Sequence, residues 1–397
     1  MKLLHEKDTM TAEERLQAVI RLQEPDRVPV VPFIYYFAAS YARITNAELR
    51  EIGKYNRALD KCFNELGPWD AYYWLNNYYP EMVSFMIPMK VKEPGIHLPP
   101  DSIRQFLEEE IMKEEEYDWI RGISEATPRL SFFRLYMRWI PRIWDHVPTG
   151  LRGASYMFSR AAANATLVFM EWQRWKRRGV PTLYNIGVEA PFDSFSLARG
   201  MLPFTRDLKR HPANISEAAG SLVESYAFLC KSACRLTGGK RAIIDVHRSS
   251  NDFLSPQTFR ELSFPSLKLL AEKLVAAGIN PILHCDGNWD LNLETLRELP
   301  AGNVMIQFDG PTDIFLAKQV IGDRICIMGD VPPDMLVLGT ASEVEEYCHR
   351  LIEEVGRGGG FVLGAGCEIP ANAKPENVKA MLDSVTKYGY YDSPARA

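Results

Sequence analysis

The chain reads as an α/β protein, a (β/α)8 barrel with an N-terminal extension and a helical insertion. Three observations predict it: about eight short apolar runs, amphipathic stretches between most of them, and polar residues gathered at the C-terminal ends of the runs. The runs are residues 28–33, 71–74, 182–188, 242–246, 281–284, 304–308, 325–328 and 361–363. Continuous apolar strands separated by helices imply a parallel sheet whose outer face is covered.

The first helix is announced by Thr11 and Glu14, spaced as a capping box, with Leu16, Val19 and Ile20 following at helical period. Pro25, Pro29 and Pro32 end it and lead into the first extended run. Ser255 before Pro256 marks another helix start, whose stretch runs on to Gly278. Thr340 and Glu343 form a second capping box, for a helix that runs to Gly356. About a hundred residues separate the second and third runs, far more than one helix needs. The expectation is a single domain over 1–397 with an inserted cap at about 80–180. The aromatics of that stretch, among them Trp119, Phe132, Phe133, Tyr136, Trp139 and Trp144, serve equally well as an ordinary core between extra helices.

Composition bounds the function. With 46% hydrophobic and 24% charged residues among 397, the chain has the balance of a globular protein with a large core. A net charge of −5 gives no electrostatic reason to expect nucleic acid. No apolar run is long enough to span a bilayer, and the first ten residues lack the apolar stretch of a signal peptide. Seven cysteines without regular spacing point to reduced thiols, so the cytoplasm is the expected compartment.

Polar residues at the strand ends carry the functional argument. Glu189 follows the third run, Asp245 and His247 close the fourth, and His284 and Asp286 the fifth. Asp309 and Asp330 follow the next two, and Cys367 with Glu368 the last. In a parallel barrel these ends share one face, where catalytic groups are placed; the competing reading is that each carboxylate caps the following helix. Side chains alternate along a strand, so His284 and Asp286 share a side and Cys285 points away. An imidazole, a carboxylate and the Cys367 thiolate are competent zinc ligands, and three protein ligands leave one position for substrate. Glu189 and Glu368 are candidates as further ligands or proton-transfer groups, with helix capping as their alternative.

These residues resemble the uroporphyrinogen decarboxylase superfamily. The resemblance rests on residues 25–30, 254–256 and 284–288, and on the long tail at 329–333, 339–340, 358–363, 366–370 and 375–377. It is continuous over 240–390, and it implies the barrel. True decarboxylases of the family hold a polycarboxylate substrate with an Arg-rich N-terminal segment. Here residues 32–41 are aromatic instead, which argues against that substrate. The cobamide-dependent methyltransferase branch is more similar. Its zinc is held by a His-x-Cys pair and a distant Cys. His284 and Cys367 match, while Asp286 stands where the first Cys would be and Cys285 is one residue out of phase.

The resemblance implies Zn2+, a cobamide carried by a corrinoid partner protein, and methyl transfer to or from a small molecule. The family often forms homodimers, so the resemblance allows a homodimer without fixing the oligomeric state. A carboxylate in place of a thiolate makes a harder zinc, suited to an ether oxygen. Tyr35, Tyr36, Tyr72, Tyr73 and Trp74 would then seat an aromatic ring, with Asp330 as a further substrate contact. The expected reaction is transfer from a methoxylated aromatic, as in O-demethylation, with thiol methylation second. The candidate catalytic residues are Asp245, His247, Asp309 and Glu189; one rival is a metal-free decarboxylase or other lyase acting on a small carboxylate, with Asp245, His247 and Asp309 as its acid–base groups. The other is a non-catalytic binding protein.

Overall fold

The computed structural model describes residues 3–74 and 77–391. They fall into two compact units, drawn from 1–76, 168–184 and 282–397 and from 77–167 and 185–281. The strands are β1 (Lys90–Lys92), β2 (Gln105–Leu107), β3 (Gly187–Glu189), β4 (Arg241–Val246), β5 (Asn280–Cys285), β6 (Met305–Phe308), β7 (Cys326–Val331) and β8 (Phe361–Ala365).

In the first unit β5, β6, β7 and β8 pair in sequence order, all parallel. Every residue of β7 and β8 is buried, as expected of strands covered on both faces. The run then continues through three extended segments. Val30 bridges Leu363, with Val31 N–H donating to the Leu363 carbonyl at 2.8 Å. Asp70 N–H donates to the Val30 carbonyl at 2.8 Å, and Tyr72 bridges Thr182. These are the places expected for the first three barrel strands. At 28–33 the ladder shrinks to a single bridge because Pro29 and Pro32 have no N–H to donate.

The helix starts follow the capping chemistry. Thr11 and Glu14 close a capping box at Ala12–Ile20, and Thr340 and Glu343 another at Ala341–Arg350. Ser255 Oγ accepts the Thr258 N–H at 3.1 Å. The helix Ala12–Ile20 is fastened to the strand entries by a buried ionic cluster. Arg15 reaches Asp8, Asp26 and Asp70, and Arg27 reaches Asp8 and Asp70, with both arginines wholly buried. Asp70 also accepts the Val30 N–H at 2.8 Å, so one carboxylate ties two guanidinium groups to a strand.

In the second unit β3 pairs parallel with β4, placing Glu189 opposite Asp245. Residues 77–167 belong to this unit and contain the antiparallel β1–β2 hairpin and the helices Glu116–Ala126 and Ser131–Ile143. Of the aromatics noted there, Phe132, Tyr136, Trp139 and Trp144 are buried, and Phe132 stacks on Tyr136 at 4.3 Å. Among the described residues no helix is long and apolar enough to cross a membrane.

Candidate metal centre and acid–base pair

In the first unit the end of β5 and the loop after β8 bring three side chains together. One ligand atom each from His284, Asp286 and Cys367 lies within 4.8 Å of the others. His284 Nε2 is 3.2 Å from Asp286 Oδ1. Gly287, at φ +82°, lets the chain turn directly after Asp286. Cys285 is buried and outside the group, as strand alternation requires. Of the seven cysteines Cys367 alone is partly exposed, while the other six are buried.

The loop bearing Cys367 is held firmly. Glu368 Oε1 accepts the Tyr36 N–H at 2.8 Å, and Ile369 N–H donates to the Phe33 carbonyl at 2.9 Å. Glu368 therefore caps the helix Tyr36–Ala42 and is outside the ligand group. Gly366 is required by close approach: a Cβ there would meet the Asp309 carbonyl oxygen at 2.5 Å. Asp309 itself accepts the Gly287 N–H at 3.0 and 3.1 Å, and so fastens the turn that carries Asp286. Burial pushes its carboxyl up to about 6, against the pull of that amide.

The electrostatics suit a cation. Burial pulls the His284 imidazole down, yet Asp286 and Cys367 more than offset it, and the ring is held well above its ordinary value. A field that retains a proton on a buried imidazole is one that would also favour a metal ion. One nitrogen, one oxygen and one sulfur donor match the donor chemistry of a catalytic zinc, which takes three protein ligands.

Polar and aromatic groups surround the trio. Gln307, fully buried in β6 and in register with His284, accepts from His284 Nδ1 at 3.1 Å. Tyr73 donates its hydroxyl to the same Gln307 oxygen at 3.1 Å and stacks on Phe33 at 4.2 Å. Phe33 in turn stands edge-on to His284 at 6.4 Å. The ring expected at Tyr72 is placed elsewhere: its hydroxyl faces Tyr55 and Glu171, and it stacks on Trp175 at 5.4 Å. Tyr72 and Tyr73 are neighbours in an extended segment and project to opposite sides, so Tyr73 is the one beside the trio. Trp74 packs against Trp172 and Tyr184. Tyr35 and Tyr36 are buried, 4.7 Å apart, at the start of their helix. Asp330, buried at the end of β7, accepts the Tyr347 hydroxyl at 2.8 Å, and burial pushes it up to about 6. Gln307 and Phe33 were missed from the sequence. A glutamine inside the apolar run 304–308 was the available signal, because a buried amide needs partners.

The second unit holds a different constellation. His247 Nδ1, just past β4, faces both oxygens of Glu189 at 2.8 and 3.0 Å. Glu189 is fully buried, and burial pushes its carboxyl up to about 8 in spite of the His247 charge, with Asp193 and Asp245 adding to the rise. Asp193, missed from the sequence, fixes the loop that carries His247. It accepts the Arg248 N–H at 2.6 Å and the Ser249 hydroxyl at 2.7 Å. Asp245 is buried next to this pair in register. Such an arrangement holds and passes one proton, with the carboxyl orienting the imidazole.

The Glu189 shift has a measurable consequence. Its folded value near 8 lies above the ordinary 4.5, so between these values the folded chain binds the extra proton. Stability then falls as pH rises through that window. The melting temperature of the wild type, measured against Glu189→Gln, should drop between pH 5 and pH 8. Parallel profiles for the two proteins would mean that Glu189 is ionised in the fold.

Comparison with known proteins adds family and fold. The profile of the family described as uroporphyrinogen decarboxylase (URO-D) matches residues 180–388. Uroporphyrinogen decarboxylase from Methylococcus capsulatus is 30% identical over 102 residues, 26% of this chain and 27% of that one. The protein of the same name from Thioalkalivibrio sulfidiphilus is 24% identical over 184 residues, 45% of this chain and 50% of that one. The chain thus spans half or less of the length of these two relatives. A solved methyltransferase from Methanosarcina mazei superposes with a TM-score of 0.67 at 17% identity, covering 96% of this chain and 99% of that one. At that identity the likeness establishes the fold, a parallel α/β barrel.

Proposed function

Since the chain belongs to the uroporphyrinogen decarboxylase family, we propose that it is a zinc-dependent methyltransferase of that family. It moves a methyl group between a small substrate and the cobamide of a corrinoid protein. The observation that carries this reading is the His284, Asp286 and Cys367 trio, three unlike donors within 4.8 Å of one another at strand ends. Zinc held there would supply Lewis acidity to a donor atom of the substrate. A ligand set with one thiolate and one carboxylate favours an oxygen donor, so a methoxylated aromatic is the preferred substrate and a thiol the second.

The chain's own residues supply the rest. Gln307 and Asp309 hold the elements that bear His284 and Asp286. Glu368 and Ile369 hold the Cys367 loop. Phe33 and Tyr73 give an aromatic wall against which a substrate ring can lie. The aromatic, non-basic stretch at 32–41 disfavours a substrate with many carboxylates. The methyl–oxygen bond would be the one broken, the partner's corrinoid would supply the methyl acceptor, and the alkoxide or phenoxide would leave to be protonated.

One observation favours a rival: the Glu189–His247 pair is acid–base equipment that a metal-free lyase acting on a small carboxylate would use. The deciding experiment supplies the zinc-loaded protein with a corrinoid protein and either methoxylated aromatics or methyl thioethers, and reads methylated corrinoid by its absorbance. Product from ethers supports the reading, and product from thioethers alone replaces the ether version. CO2 release from a small carboxylate that survives chelation would hand the case to the lyase.

A further inference from the structure

We propose that Gln307 is the positioning residue of the metal centre: it fixes which nitrogen of His284 is offered to the ion and ties that ring to the loop bearing Cys367. This inference rests on the zinc reading above. Gln307 is 0% exposed, so its polar atoms must find their hydrogen-bond partners within the protein.

The side-chain amide has two ends that differ. Its Nε2 donates to the Gly366 carbonyl at 3.3 Å. That carbonyl can only accept, so a flipped amide would set oxygen against oxygen, and the orientation is determined. Oε1 therefore faces Tyr73 and His284, at 3.1 Å each. An amide oxygen can only accept, so His284 Nδ1 must carry a proton there. The remaining nitrogen, Nε2, is the one 3.2 Å from Asp286. When the ring is neutral, its lone pair is thus on the side where Asp286 and Cys367 converge. Outer partners that set a histidine in this way are worth 10- to 100-fold in metal affinity.

The same amide joins two elements that are not strand neighbours. Gln307 sits beside His284 in the β5–β6 ladder, whereas Gly366 follows β8 and immediately precedes Cys367. β7 lies between β6 and β8 in the ladder order, so this hydrogen bond is no part of a strand pairing. One buried side chain therefore holds the nitrogen ligand and the sulfur-bearing loop at a set separation. Tyr73 completes the demand on Oε1 and keeps the amide from rotating.

The test compares wild type with Gln307→Leu, which keeps bulk and loses both ends, and Gln307→Glu, which keeps the acceptor. Zinc affinity is read by competition with a chromophoric chelator, and folding by circular dichroism. The leucine variant is expected to bind zinc about 10- to 100-fold more weakly, and the glutamate variant, which keeps the acceptor for His284 but sets oxygen against the Gly366 carbonyl, to recover only part of that loss. Equal affinity in a folded leucine variant would overturn the proposal. A second measurement needs no metal: nitrogen-15 spectra of the imidazole groups in metal-free protein. A His284 Nδ1–H signal protected from exchange is expected in wild type and in Gln307→Glu, and not in Gln307→Leu. If wild type binds no zinc, the methyltransferase reading fails, and this spectrum alone decides whether Gln307 holds the ring. An unprotected Nδ1–H in wild type would sink the inference whatever the metal does.

Discussion

Replacing His284 or Cys367 by alanine is expected to abolish stoichiometric zinc binding, from near one ion per chain to background, with methyl transfer lost alongside. Each side chain supplies one of three donors, and two remaining protein ligands cannot hold the ion against water. The loss should exceed the roughly 100-fold that outer partners are worth. It should also be visible without any activity assay. Zinc at 100 times its Kd stabilises the wild type by about 2.7 kcal/mol, a rise of a few degrees in Tm, and should leave both variants unmoved. Elemental analysis and thermal melts check it. Full zinc content in either variant would place the metal elsewhere and remove the main support for the proposed reaction.

The second large effect is on stability. Asp70→Ala is expected to destabilise the chain by roughly 3–5 kcal/mol, because it leaves Arg15 and Arg27 buried with fewer compensating charges. In the wild type Asp70 takes Arg15 Nη1 at 2.6 Å, Arg27 Nη1 at 2.8 Å and the Val30 amide at 2.8 Å. Arg27 Nη2 also donates to Asp70, at 3.0 Å, so removing the carboxylate takes an acceptor from four donors with no exposure to water. Exposed ion pairs such as Arg350–Glu354 give the contrast, since breaking one should change stability by less than about 1 kcal/mol. Urea unfolding of both variants tests this. A cost below about 1 kcal/mol at Asp70 would show that the cluster is relieved by solvent or by movement of the N-terminal helix.

Much of the fold was legible because it rests on local chemistry. The capping boxes at Thr11 and Thr340 and the cap at Ser255 depend on residues three apart, and each is formed as read. The apolar runs at 242–246, 304–308, 325–328 and 361–363 all lie in strands β4, β6, β7 and β8 or beside them. The prolines at 29 and 32 were read as leading into the first strand; their cost to the ladder became apparent only when the partner, Leu363, was known. Alternation along β5 correctly grouped His284 with Asp286 and set Cys285 apart. The same rule could not choose between Tyr72 and Tyr73, because nothing local says which side of that segment faces the trio.

What the sequence by itself determined is therefore the set of chemically able groups and the strand ends that bear them: Glu189, His247, His284, Asp286 and Cys367. Periodicity and turn chemistry act over a few residues, and they suffice for that. Tertiary structure decided which of these groups meet. It joined Cys367 to His284 across 83 positions of chain, paired Glu189 with His247, and turned Glu368 into a helix cap. It also made Gln307, an unremarked residue in an apolar strand, the common partner of His284, Tyr73 and Gly366. Metal affinity and proton affinity depend on distance and burial, and both are properties of the folded chain alone.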